Sequence, residues 1–190
     1  SIKLTLVVSL LLSTLFSSYN AVTAQEKRAG DRSENDSLVV VNASEDVNGD
    51  TSSPSGLISN PGTDGISLPE AIAASNNTSD YYTITFDSSL SGSTIYLTRD
   101  MPHITQGNVT INGDINEDGT PDITIDGTNG EFCGFNITGA SNVVIRGFNI
   151  HNFPKHGIYI RPDTGEGKTD VGNIVIYQND ITATEGSISL

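Results

Sequence analysis

NVVIRGFNIHNFPKHGIYI, residues 142–160, holds three short apolar runs parted by single polar residues and glycines, with a loop of two histidines and a lysine before the last run. Each run has the length of a strand, and none has the 3.6-residue period of a helix. Its first part recurs along the chain. NVTINGDI begins at Asn108, NVVIRGFNI at Asn142 and NIVIYQNDI at Asn173, 34 and 31 residues apart. A second series interleaves with it: GFNI at Gly134, GIYI at Gly157 and GSISL at Gly186, 23 and 29 residues apart. DITIDG at Asp122 fits the first series again.

Units of about thirty residues or less, each made of short strands and Gly, Asn and Asp turns, cannot bury their apolar faces alone; stacked units can. The reading is an all-β chain, a right-handed parallel β-helix in which like side chains pile into ladders. Asn142 and Asn173 are expected to hydrogen-bond to each other as such a ladder. The alternative is a sandwich of hairpins, for which Asn112-Gly113 and Asp126-Gly127 would serve as two-residue turns. The strands those turns would join are unmatched, and a sandwich leaves the recurrence unexplained.

Working outward, SLPEAIAASNN carries one helix. Ser67 and Glu70 form a capping box, Pro69 lies in the first turn, and Leu68, Ala71, Ile72 and Ala74 make a small apolar face. A helix of about ten residues is marginal in water and must be packed on something. Laid over the first coil it would cap an otherwise open end. Before it, Leu38–Val41 reads as a buried strand, and residues 42–66 read as turns. YYTITFD and STIYLT alternate as strands do.

The start reads as an export signal over residues 1–24. Lys3 flanks a thirteen-residue apolar run, Leu4–Phe16, and Val22-Thr23-Ala24 is a small-x-small cleavage pattern. A membrane anchor is the alternative, but the run is short for a bilayer. Residues 25–37 are charged and nearly free of large apolar side chains, as a disordered linker is. Residues 38–100 then hold the cap and first coils, and 101–190 further coils. The chain starts with Ser and stops within a strand pattern, so the reading expects the coils to continue past Leu190.

A net charge of −14 disfavours nucleic acid and anionic lipid as partners and leaves the mature chain no membrane insertion. The single cysteine, Cys133, has no internal partner and reads as a small buried hydrophobe. No Gly-x-Ser-x-Gly elbow or phosphate loop occurs, and His103, His151 and His156 lack zinc-ligand spacing.

LVVVNASEDVNGD, ISLPEAIAASNN, YTITFD and STIYLT together resemble the N-terminal segment of secreted bacterial proteins that carry a Cys-Ser-Leu-Arg-Glu-Ala motif. The resemblance covers about residues 38–100, and beyond Asn108 it rests on the coil pattern. Ser67, Leu68, Glu70, Ala71 and Ile72 match the motif, whereas Ile66 replaces its Cys and Pro69 its Arg. The resemblance implies export, a cell-surface or secreted location and a pectate-lyase-like β-helix. It supplies no catalytic residue.

Two stretches could carry chemistry. GDINEDGTPDITID places Asp114, Asn116, Asp118 and Asp122 at positions one, three, five and nine of a Ca²⁺ loop, with Gly119 at the sharp turn and the Thr120 carbonyl available. Position twelve is Ile125, so a full EF-hand is excluded, and a smaller site or a plain acidic turn remains. Asp46-Val47-Asn48-Gly49-Asp50 is a fainter echo. The other stretch is basic: His151, Lys155, His156 and Arg161, with Arg146 a coil earlier. On the pectate-lyase-like resemblance these could clamp an acidic sugar or abstract a proton beside its carboxylate, with Asp163 and Asp170 on a second cation. Lys155, His156 and Arg161 are the catalytic candidates, and strand punctuation is the competing account. The function expected is an exported module that binds, and in one version processes, extracellular polysaccharide or a cell-surface component. The alternative is a non-enzymatic stalk.

Overall fold

The structure is a computed structural model that describes residues 37–128, 130–165, 170–183 and 185–190. The export signal at 1–24 and the linker up to residue 36 lie outside the described residues. Among the described residues no helix is long and apolar enough to cross a membrane.

The chain is mostly β. Its strands are β1 (Ser37–Val40), β2 (Tyr82–Phe86), β3 (Thr94–Tyr96), β4 (Val109–Asn112), β5 (Ile123–Asp126), β6 (Phe135–Thr138), β7 (Ser141–Arg146), β8 (Phe148–Phe153), β9 (His156–Arg161), β10 (Gly172–Tyr177), β11 (Asp180–Ala183) and β12 (Gly186–Ser189). Two short α-helices, α1 (Pro54–Ser59) and α2 (Leu68–Ser75), lie between β1 and β2. Sheet A runs β1-β2-β4-β7-β10, sheet B β11-β8-β5-β3 and sheet C β12-β9-β6. Among the described residues every strand pairing is parallel. A hairpin sandwich would need antiparallel neighbours, so that alternative is out. From β4 onward the chain steps through A, B and C in a fixed cycle, three times.

The register explains the repeat. Ile84 sits against Ile111, Ile111 against Ile145 and Ile145 against Ile176 in sheet A. In sheet B, Ile95, Ile125, Ile150 and Ile181 form the matching column. Strand side chains alternate, so one apolar residue in two points inward and meets its equivalent one rung away. Phe148 from sheet B touches Phe86 of sheet A and Phe135 of sheet C edge-on, at 5.7 and 5.4 Å between ring centres. The three sheets thus share one core. Cys133 is buried, as a small hydrophobe should be.

In the strands, three details differ from the sequence reading. DITIDG does not join the Asn108 series; as β5 it lies in sheet B, beside β3 and β8. β4 takes the place in sheet A, and the next strand along the chain, β5, pairs in sheet B. In sheet C, Gly134 and Gly157 are equivalent, but the next step pairs Gly186 with His156, so the last offset is 30 rather than 29. The run Leu38–Val41 is not buried on both faces: Leu38 and Val40 point inward, while Val39 and Val41 are exposed.

The Asn ladder is present. Asn142 Nδ2 donates to Asn108 Oδ1 at 2.9 Å, and Asn173 Nδ2 donates to Asn142 Oδ1 at 2.8 Å. All three residues take the left-handed conformation, with φ of 52°, 59° and 53°. Asn is chosen twice over: it tolerates that backbone, and its amide both donates and accepts along the stack. Asn142→Ala is expected to cost about 1.5–3 kcal/mol, because it loses both amide bonds and strains the backbone. Asn142→Gly loses the same bonds without the strain and is expected to cost about 1 kcal/mol less. Urea unfolding of the two variants checks this, and equal losses would show that the left-handed turn places no demand on the side chain.

The capping box at Ser67 forms as expected, and α2 packs on β1, β2 and α1. Its burial exceeds the small apolar face read from sequence: of its eight residues only Ala73 is not buried. Glu70 draws part of the 41–66 segment onto α2 by accepting from the amides of Asn48 and Gly49, and α1 packs against it. Within that segment α1 was not apparent. Ser53 caps it, accepting from Gly56 N, and Leu57 is fully buried. Six residues do not hold a helix by propensity, so the burial of Leu57 decides it.

Candidate functional site

The acidic loop follows β4 and leads into β5. Asp114 is fully buried, and its Oδ2 accepts from Gly119 N at 3.0 Å, across a turn in which Glu117 and Gly119 have φ of 59° and 89°. Gly119 is therefore the sharp turn expected of it. Asn116 Oδ1 accepts from Asp118 N, and Asp118 Oδ1 accepts from Thr120 N. These bonds to Thr120, hydroxyl and amide, hold the Asp118 carboxyl below the usual carboxylate range. Asp122 points elsewhere: Oδ2 accepts from Ile115 N and Asn116 N, and Oδ1 from Ser91 Oγ. Among the described residues no three His, Cys, Asp or Glu side chains gather to hold a metal. Any cation here must also draw on Asn116 and a backbone carbonyl. The fainter echo disperses, with Asp46 near Arg99, Asn48 bonded to Asp64, and Asp50 capping Ser52.

The basic stretch is spread over three sheets. Arg146 ends β7 in sheet A, His151 lies in β8 of sheet B, and His156 and Arg161 stand at opposite ends of β9 in sheet C. Six strand residues span roughly 17 Å, so His156 and Arg161 do not meet on one sugar ring. His156 stacks on Tyr159 and has Nε2 3.8 Å from Glu185. Arg161 Nε donates to Thr138 Oγ1. Lys155 is exposed, and its carbonyl accepts from Glu185 N. Asp163 Oδ1 accepts from Gly165 N, and Asp170 is exposed beyond the undescribed residues 166–169. Arg146 Nε donates to Asn112, and its guanidinium lies over the Tyr177 ring at 5.7 Å.

The side chains that do line up are on the outer face of sheet B. Tyr96, Asp126, His151 and Thr182 occupy successive rungs in register. Tyr96 is 59 % exposed. Burial raises the Asp126 carboxyl, but the Thr128 hydroxyl and amide, Asn152 and the nearby His151 together bring it below the usual range. His151 Nε2 lies 3.9 Å from Asp180 Oδ2. One column over, Thr94, Thr124, Asn149 and Asp180 form a second polar row. Sequence reasoning missed this face because DITIDG was aligned with the wrong series. Aligned with FNIH instead, Asp126 falls beside His151.

A separate cleft of about 360 Å³ is lined by Glu45, Pro69, Leu97, Arg99 and His103, among others. Glu45 accepts from the Thr98 amide and hydroxyl, so the carboxylate on its wall is already engaged. The chain matches no protein-family model, no curated protein and no solved structure.

Proposed function

We propose that the protein is an exported right-handed parallel β-helix module of the pectate-lyase-like type, with α2 as its N-terminal cap, and that it binds extracellular polysaccharide. The fixed A-B-C cycle supports the architecture, because parallel returns to one sheet are right-handed in nearly all proteins. The residues shared with the Cys-Ser-Leu-Arg-Glu-Ala proteins support export and a surface location.

One observation carries the ligand class: the Tyr96–Asp126–His151–Thr182 row beside Thr94–Thr124–Asn149–Asp180. A sugar presents C–H faces to an aromatic ring and hydroxyls to carboxylate, imidazole and hydroxyl groups, and a polymer repeats that demand along a line. Rungs about 4.8 Å apart offer a matching line of partners. Such a face suits a neutral polymer, since the chain's charge of −14 repels a polyuronate unless a divalent cation bridges the two. The dispersal of Lys155, His156 and Arg161 speaks for binding rather than lyase chemistry at those residues. The stalk reading is favoured by the Asn ladder, which cross-links three successive strands of sheet A through side-chain amides.

Affinity electrophoresis of the full chain in gels containing neutral or uronate polysaccharides, with and without chelator, separates these readings. The expected result is retardation by at least one polymer, weakened about three- to tenfold in Tyr96→Ala. Retardation unchanged in both Tyr96→Ala and His151→Ala would move the site off sheet B. No retardation in any gel would leave the stalk, and an unsaturated product from a polyuronate would reinstate the lyase.

A further inference from the structure

We propose that Asp114, Asn116, Asp118 and the backbone carbonyl of Thr120 form a calcium site beneath the loop after β4. The observation that carries it is the Asp114 carboxylate, which is fully buried and whose Oδ1 has no hydrogen-bond partner. A buried, uncompensated carboxylate oxygen is costly, and native structures pair such atoms with a donor or a cation. The bond from Gly119 N to Oδ2 fixes the carboxylate under its own loop, and Oδ1 of the same group is buried beside that bond without a partner.

The protein's own cations do not resolve it. Arg146 is the closest, and it approaches the other oxygen, Oδ2, at 3.7 Å. Its remaining nitrogens go to Asn112, Tyr177 and Gln178. Asn116 Oδ1 accepts one backbone N–H and keeps a second lone pair; Asp118 Oδ1 is filled by the Thr120 amide and hydroxyl, while Oδ2 accepts only from Asn116 Nδ2 and keeps a lone pair for a cation. Asp122 is left out, because its Oδ2 is filled by the amides of residues 115 and 116 and its Oδ1 is bonded outside the loop, to Ser91.

The donor set selects the ion. All the ligands are oxygens, which disfavours zinc and copper. A loop that mixes carboxylate, amide and carbonyl on a flexible turn suits Ca²⁺, whereas Mg²⁺ demands a near-ideal octahedron and gives up its water reluctantly. Two carboxylates with a guanidinium nearby make a weak site, in the range of about 10⁻⁴–10⁻³ M typical of extracellular modules. The bound ion would tie the loop to the rung below, where Asp114 lies against Gly147 so closely that a Cβ there would come within 2.2 Å of its amide nitrogen. This inference does not depend on the polysaccharide reading.

The test is a calorimetric titration of the chelator-treated full chain with CaCl₂ and, separately, MgCl₂, paired with thermal unfolding. Expected are a saturable calcium heat in the stated range and a rise in Tm of about 3–6 °C at ten times the dissociation constant. Magnesium should do neither. Asp114→Asn is the direct variant, but it alters a buried group. Asp118→Ala, at an exposed position, should abolish both signals while the circular dichroism spectrum stays native. No calcium heat up to about 10 mM, well above the expected range, would overturn the proposal. So would calcium binding unchanged in Asp118→Ala, or magnesium binding as tightly as calcium.

Discussion

Phe148→Ala is expected to destabilise the protein by about 3–5 kcal/mol, the range for deleting a buried phenyl ring. The ring is fully buried and stands at the meeting of the three sheets, edge-on to Phe86 and Phe135. The backbone beside it has no slack to collapse into the space: a Cβ on Gly113 would come within 2.7 Å of Phe148 Cε1. Such close packing means the cavity persists, and the cavity adds to the lost transfer energy. Phe148→Leu keeps most of the volume and is expected to lose under about 1.5 kcal/mol. Urea unfolding followed by circular dichroism checks both. A loss below about 1 kcal/mol for the alanine variant would mean that the three sheets do not share this contact.

Glu70→Ala ranks second, at about 3 kcal/mol or more. The side chain is 1 % exposed, and its carboxylate accepts three backbone N–H groups: Asn48 at 2.7 Å and Gly49 at 2.6 Å on Oε1, and Ser67 at 2.8 Å on Oε2. Truncation strands all three donors, each worth about 1–3 kcal/mol when buried, with Asn48 at the low end because water reaches it. It also removes half of the capping box. Glu70→Gln keeps one acceptor oxygen but turns an amide toward a donor, so it should lose about half as much. Hydrogen exchange distinguishes this from a general loss of stability: the amides of Asn48 and Gly49 should lose protection before those of the sheet cores. If those two amides stay protected in Glu70→Ala, the carboxylate does not tether the 41–66 segment to α2.

These two residues mark where sequence reading ran well and where it stopped. Glu70 was legible as a capping residue because the Ser-x-x-Glu spacing is local. Its second role, holding a loop twenty residues upstream, has no local signature. Phe148 was legible only as an apolar strand residue; that it meets one phenylalanine from each other sheet depends on loop lengths that set which rung faces which. The acidic loop was visible as a Ca²⁺ template, yet the template included Asp122, whose oxygens the fold assigns to Ser91 and to backbone amides. The basic stretch looked like a cluster because its members are close in sequence. The chain turns two corners within it, and residues close along the chain end on different sheets.

By itself, the sequence determined the strand-forming pattern, the parallel recurrence and the Asn stack, because each follows from short-range alternation repeated at a near-constant interval. Only the tertiary structure decided which strand joined which sheet, and so which polar side chains became neighbours. Paired neighbours within a sheet are separated by a stretch of chain whose length varies from one pairing to the next. Tyr96, Asp126 and His151 lie far apart in sequence and share a face because the inward-facing isoleucines beside them, Ile95, Ile125 and Ile150, are in register, which fixes the outward positions too.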